Sequence, residues 1–185
     1  MFLFFTVRSL MFRFQRWYCL MLTVTKNAGR LSSRGMESEL AATLLKGLEA
    51  NWNFGYTHAK YTRLKLSQNG SATDLAGKRQ VFTPDMTSML VIQYGISVNR
   101  AHSIKLTVRG EWEYLGASYF DFNNTIRQSP YNLLNSGIGI QIKHFELRLW
   151  GRNMSNKKYI SYAYDFGAVH LGDPKTYGIS VKAMF

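Results

Sequence analysis

The sequence predicts an all-β fold of antiparallel strands that cross a membrane as part of a β-barrel, and three observations lead there. Several stretches alternate apolar and polar residues with a period of two over ten or so positions, about the length a tilted strand needs to cross a bilayer. The connections between these stretches alternate between short and long. The chain also finishes on an amphipathic segment whose last residue is aromatic, as befits a closing strand with one face in lipid.

Composition agrees with this fold class. Apolar residues make up 46% of the chain and aromatics 15%, yet the mean hydropathy is slightly negative. Alternating strands average their hydropathy in this way while still presenting an apolar band. Beyond the first 25 positions no run of about 20 apolar residues occurs, which argues against a membrane protein built of helices.

Residues 1–25 are set apart as an atypical apolar and basic N-terminal segment, not native to the fold that follows. Arg8, Arg13 and Arg16 break the apolar run, and neither a charged leading region nor a small-residue cleavage site is visible. The segment therefore suits neither a signal peptide nor a membrane helix.

The strands belong to residues 26–185, and seven are expected. Residues 35–44 form a first, weaker one, with Leu40, Ala42 and Leu44 against Glu37, Glu39 and Thr43. The clearest is 47–57, where Leu48, Ala50, Trp52, Phe54 and Tyr56 oppose Glu49, Asn51, Asn53, Gly55 and Thr57. In 84–98 the apolar side is Met86, Leu90, Ile92, Tyr94, Ile96 and Val98. In 102–114 it is Ile104, Leu106, Val108, Trp112 and Tyr114, facing Lys105, Arg109, Glu111 and Glu113. Leu134, Ile138, Ile140 and Ile142 continue it in 132–142, and Phe145, Leu147 and Leu149 in 145–149. Tyr177, Ile179, Val181 and Phe185 form the apolar side of 176–185.

The joins at 44–48, 97–103 and 142–146 are short. Those at 63–83, 115–131 and 165–175 are long and polar. Sorting of loops by length fits a barrel with tight turns on one side of a membrane and long loops on the other. A soluble β-sandwich has no reason to sort them so.

No chemical site is legible. Cys19 is the only cysteine, and His58, His102, His144 and His170 lack metal-ligand spacing, so no metal and no cofactor is expected. Glu111 and Glu113 share a face but read as lining residues, not as a catalytic pair, and no catalytic motif is present. Gly137 and Gly139 lie within a strand and read as small inward positions. Trp52, Tyr56, Tyr94, Trp112 and Tyr114 are expected as lipid-interface anchors. The long-loop aromatics Tyr119, Phe120 and Phe122 fit structural packing better than ligand stacking. Lys and Arg number 23 against 11 Asp and Glu, a formal net charge of +12. These cations are scattered and accompany no nucleic-acid-binding module, so nucleic acid is not an expected partner. Anionic lipopolysaccharide or an anionic ligand is.

The pieces NAGRLSSRGMESEL (27–40), GLEANWNFGYTHAKY (47–61), DLAGKRQVFTP (74–84), ASYFDFNN (117–124), YNLLNSGIGI (131–140), LRLWGRNMSNKKY (147–159) and GDPKTYGISVKAMF (172–185) carry a resemblance. In order, spacing and aromatic ending they resemble the C-terminal barrel of a TonB-dependent outer-membrane receptor. The resemblance implies an outer-membrane location and a larger barrel enclosing a plug domain, with uptake of a scarce nutrient of the siderophore-iron, cobalamin or glycan class. It also implies that Tyr177, Ile179, Val181 and Phe185 serve as a signal for the barrel assembly machinery. TonB is expected to act only through a plug, and neither a plug nor a TonB-contact segment is recognisable here. The expectation is thus a non-enzymatic receptor component, truncated and not transport-competent alone. The alternative is a structural or adhesion barrel module. Two matches to the N-glycosylation pattern, at 123–125 and 153–155, carry no meaning in that membrane.

Overall fold

The computed structural model describes the backbone of residues 2–18, 22–68, 71–99, 103–164 and 166–184, and their side chains other than those of 2–28, 67, 68, 71, 72 and 99. The regular elements are all strands: β1 Phe2–Tyr18, β2 Leu22–Leu45, β3 Leu48–Gln68, β4 Ser71–Asp74, β5 Met86–Asn99, β6 Ile104–Leu115, β7 Ser118–Tyr119, β8 Arg127–Gln128, β9 Tyr131–Ile142, β10 Phe145–Arg152, β11 Ile160–Ala163, β12 Val169–Leu171 and β13 Thr176–Ala183. Eight form one antiparallel path in the order β1-β2-β3-β5-β6-β9-β10-β13, with β4 paired to the far end of β3. The ribbon β7–β8 lies within the second long connection, and β11–β12 within the join from β10 to β13, which at residues 153–175 starts earlier than the expected 165. Among the described residues β1 and β13 are the edges of the sheet and do not pair, so the barrel is not closed.

The seven expected strands are β2, β3, β5, β6, β9, β10 and β13. Residues 1–25 contribute β1 and the start of β2, which runs through the boundary drawn at 25/26. The register irregularity between Val7 and Leu10 sets three steps of β1 against two of β2 and interrupts the two-residue period of β1, whereas that between Phe12 and Arg13 places its extra residue on β2. The strand is consequently invisible to a strict alternation test. The expected loop at 63–83 needs a second correction, because its first part continues β3 and then turns back as β4.

Register builds two unlike faces. One cross-strand row reads Leu48, Tyr94, Val108, Ile138, Leu149 and Ile179. The neighbouring row on the opposite side reads Glu49, Gln93, Arg109, Gly137, Trp150 and Gly178. Ile138 (53%), Leu149 (51%), Ile179 (68%) and Val181 (72%) remain exposed, so no part of the described protein covers the apolar face. A contiguous apolar surface of this extent requires a non-aqueous neighbour.

Two glycines make the geometry of β2 and β3 possible. Gly47 takes φ +84° in the tight β2–β3 turn, where a Cβ would strike the carbonyl of Gly95. Gly29 takes φ +143° opposite a bulge at Thr62, and a Cβ there would strike the carbonyl of Arg63. The Thr62 hydroxyl donates to the carbonyl of Arg30 at 3.1 Å and pins the bulge.

Candidate functional site

The polar face carries an interlocked set of side chains. On β6, Arg109 and Glu111 alternate to the same side, and Arg109 Nε donates to Glu111 Oε1 at 2.6 Å. Asn135 on β9 donates through Nδ2 to Glu113 Oε1 at 2.9 Å and to Glu111 Oε2 at 3.4 Å. On β10, Arg148 Nη2 donates to Glu146 Oε1 at 2.7 Å, and Trp150 Nε1 donates to Ser180 Oγ of β13 at 3.0 Å. Gly137 sits opposite both Arg109 and Trp150, leaving room for these large side chains. All of these except Glu113 line a concavity of about 470 Å³. Glu111 and Glu113 are thus bound into a charge-paired, amide-bridged network, and the network makes a hydrated wall.

The opposite end from the tight turns is an organised cap. Asn124 takes φ +60° and ties two loops together: its Oδ1 accepts from the Arg79 amide at 2.7 Å, and its Nδ2 donates to the Arg79 carbonyl at 3.1 Å. Asp121 closes its own loop by accepting from Thr125 Oγ1 at 2.8 Å and the Ile126 amide at 2.7 Å. Asn153 is buried and left-handed. It donates to the carbonyls of Lys157 and Asp173, each at 2.9 Å, and accepts from the Lys157 amide at 2.8 Å. Beneath the loops, Leu31, Tyr61, Leu64 and Leu75 form a buried cluster, with Leu66 and Phe122 packed against it. Burial raises the Tyr61 phenol above its ordinary range. Tyr131 stacks on Tyr159 at 4.5 Å, and burial, then the Tyr159 and Glu113 charges, push the Tyr131 phenol up to about 12.

A run of rings crosses the cap. Phe82 meets Phe120 edge-on at 5.4 Å and stacks on Tyr162 at 5.1 Å. Tyr162 meets Tyr164, which stacks on Phe166, and His170 lies against both tyrosines. Phe82, Tyr162 and Phe166 are exposed.

Trp52, Tyr56, Tyr94, Trp112 and Tyr114 all fall in register on the apolar face. Trp52 and Trp112 flank Leu90 in one row, whereas Tyr94 lies opposite Leu48, beside the β2–β3 turn. Tyr177, Ile179 and Val181 occupy the same face at the β13 edge, and Phe185 lies outside the described residues. Phe120 and Phe122 are used in packing: Phe120 is buried against Phe82, and Phe122 lies 5.8 Å from Tyr61. The ring run at Phe82, Tyr162, Tyr164, Phe166 and His170, and the clamps Asn124 and Asn153, escaped the sequence reading. Their only signal was aromatic and Asn enrichment in long connections. Among the described residues no three His, Cys, Asp or Glu side chains converge as a metal site.

An uncovered apolar face backed by a hydrated, charge-paired wall is stable only where lipid lies on one side and water on the other. That defines the wall of an outer-membrane β-barrel. The chain belongs to the TonB dependent receptor-like, beta-barrel family, whose model matches residues 5–154. This is a family of outer-membrane receptors. The fold is similar to that of the ferric yersiniabactin uptake receptor FyuA from Yersinia pestis, at 23% identity and TM-score 0.75, over 88% of this chain and 25% of that one. It is similar also to the siderophore receptor PiuA from Acinetobacter baumannii, at 21% identity and TM-score 0.71, over 86% of this chain and 22% of that one. BauA, the ferric preacinetobactin receptor from the same species, gives 19% identity and TM-score 0.71 over 97% of this chain and 26% of that one. The chain therefore spans about a quarter of the length of these relatives.

Proposed function

We propose that this chain supplies wall and outer loops to a receptor that takes up a ferric siderophore with energy delivered through TonB. The observation that carries this reading is the fold match itself: most of the chain superposes on a ferric yersiniabactin uptake receptor, a siderophore receptor and a ferric preacinetobactin receptor. The two ends of the polar face are consistent with it. Paired charges on β6 and β10 suit a hydrated passage, and the exposed rings Phe82, Tyr162 and Phe166 offer stacking surface for the flat ligand groups of an arriving chelate. The reading is tested by uptake of radiolabelled iron, presented as a panel of catecholate, hydroxamate and mixed chelates, in cells expressing the receptor that contains this chain. Uptake of at least one chelate that disappears in a TonB-null strain is expected. Surface binding of chelates with no TonB-dependent uptake would contradict it.

The C-terminal strand has a second role in this proposal. Tyr177, Ile179 and Val181 form the lipid face of β13, and together with the terminal Phe185 they are the segment engaged by the barrel assembly machinery. Grafting residues 172–185 onto a complete receptor, with and without Phe185, separates the two contributions. Loss of one aromatic contact with lipid removes about 1.5–3 kcal/mol from a large barrel, whereas recognition depends on the terminus itself. Insertion in cells should fall far more than stability in detergent, and equal insertion of the two grafts would refute the role.

A further inference from the structure

We propose that the outward side of the β2–β3 ribbon, just beyond the aromatic residues at the long-loop end, binds the phosphorylated head group of an anionic glycolipid in the outer leaflet. This inference rests on the outer-membrane reading and adds a named partner surface to it.

The surface follows from register. Leu40 pairs with Trp52 and Met36 with Tyr56 on the apolar face. Continuing upward by twos on that same face, Arg34 pairs with His58, and Ser32 with Lys60. The bulge at Thr62 then resets the parity of β3, so that Arg30 meets Arg63 on this side as well. Arg79 joins from the next connection: it forms a bridge with Lys60, and its Nη1 lies 3.2 Å from His58 Nδ1. Five permanent cations therefore gather along one short ribbon, around one histidine.

Few anions answer them. Asp85 lies 3.5 Å from Arg79, while Glu37 and Glu39 alternate to the opposite face. Asp74 sits opposite Lys65 farther up, where its carboxylate accepts from the Ala76 amide. The imidazole of His58 reports the imbalance. Burial, followed by the charges of Arg79, Lys60 and Arg34, holds it below its usual range. A cluster of this kind attracts a multiply charged anion.

Position selects which anion. The cations face away from the lumen and are continuous with the lipid-facing strip. They begin two residues beyond Tyr56, so Lys60 stands about 13 Å farther along a tilted strand. With a barrel strand's tilt of about 40° this is roughly 10 Å of height. It puts the Arg34–His58 pair within the head-group layer, about 5–8 Å on each side of the hydrocarbon, and Lys60 at its outer edge. A nutrient in transit would meet the other face of the same strands. A phosphate carried on an outer-leaflet lipid meets this one, with its acyl chains against Trp52, Phe54 and Tyr56.

The test uses the protein extracted from outer membranes in mild detergent, with retained phosphoglycolipid per protein measured by mass spectrometry. Combined Arg34→Glu, Lys60→Glu and Arg63→Glu should lower the retained lipid about tenfold or more. Combined Lys46→Glu, Lys157→Glu and Lys158→Glu changes net charge equally at other places and should leave it unchanged. Equal loss in both sets, or loss in neither, overturns the proposal. The neutral set Arg34→Gln, Lys60→Gln and Arg63→Gln, which avoids new repulsion during assembly, should give an intermediate loss, and full retention in it also overturns the proposal. Dephosphorylated glycolipid should bind at least about tenfold more weakly than the phosphorylated form. Displacement of the lipid by millimolar inorganic phosphate would show a free-anion site and defeat the lipid assignment. Fractionation separates the two readings. Absence of the chain from outer membranes defeats both, whereas a correctly located chain indifferent to the triple variants defeats this inference alone.

Discussion

The lower and upper halves of β3 share a two-residue period, reset once at the Thr62 bulge, and obey opposite solvation rules. From Leu48 to Tyr56 the apolar side chains point outward, Tyr56 exposed and the others half-buried, while Glu49, Asn51 and Asn53 point inward. Above Thr57 the sense inverts. Ala59, Tyr61 and Leu64 turn inward and are almost fully buried, at 2%, 1% and 0% exposure, whereas His58, Lys60 and Arg63 turn outward. A strand crossing from lipid into water changes the medium on its outer side, so the residue class that suits each side must change with it. The loops supply a protein core inside at the same level, through Leu75 and Phe122. One strand thus records where the membrane ends.

The largest expected effect lies in the upper half. Leu64→Ala should cost about 2–5 kcal/mol, seen as lost protease resistance of residues 63–83 with the membrane-spanning part intact; unchanged resistance would mean the upper cluster is not a core. On β5, opposite Ala50 of the lower half, Ile92→Arg should cost about 2–4 kcal/mol if it lies near the bilayer midplane. Asn51→Arg on the inward face should stay within about 0.5 kcal/mol. Equal costs in detergent unfolding would erase the distinction between the faces. Asn153→Ala leaves the carbonyls of Lys157 and Asp173 and the Lys157 amide without their partner, and should cost about 1–3 kcal/mol. It should loosen the third loop cap only, as read by hydrogen exchange. The smallest effect is on pH. Because the folded Tyr131 phenol titrates near 12 and an unfolded one near 10, the folded state holds the proton more tightly. Stability should therefore decline as pH rises from about 10 to 12. Tyr131→Phe should remove a phenol titrating at about 12 from the ultraviolet titration.

The same inversion explains what the sequence made legible. Strict alternation found the seven strands because their lipid face is apolar throughout the span, and loop length sorted the two ends. The reading stopped β3 at residue 57 because it sought an outward apolar side, which at His58 and Lys60 no longer exists. β1 was missed for a different reason: the register irregularity between Val7 and Leu10 breaks its period. The caps held by Asn124 and Asn153 depend on contacts between residues up to 45 positions apart, which no local pattern contains.

A cysteine scan along β3, in outer membranes and in a Cys19→Ser background, tests the inversion most directly. Spin labels at 48, 50, 52, 54 and 56 should report lipid through oxygen collisions, and those at 49, 51 and 53 water through a polar relaxing agent. Beyond the interface, labels at 58, 60 and 63 should turn aqueous, while those at 59, 61 and 64 become inaccessible to both. Lipid-type collisions continuing outward past residue 58, or no contrast between the two sets below it, would contradict this account of the wall.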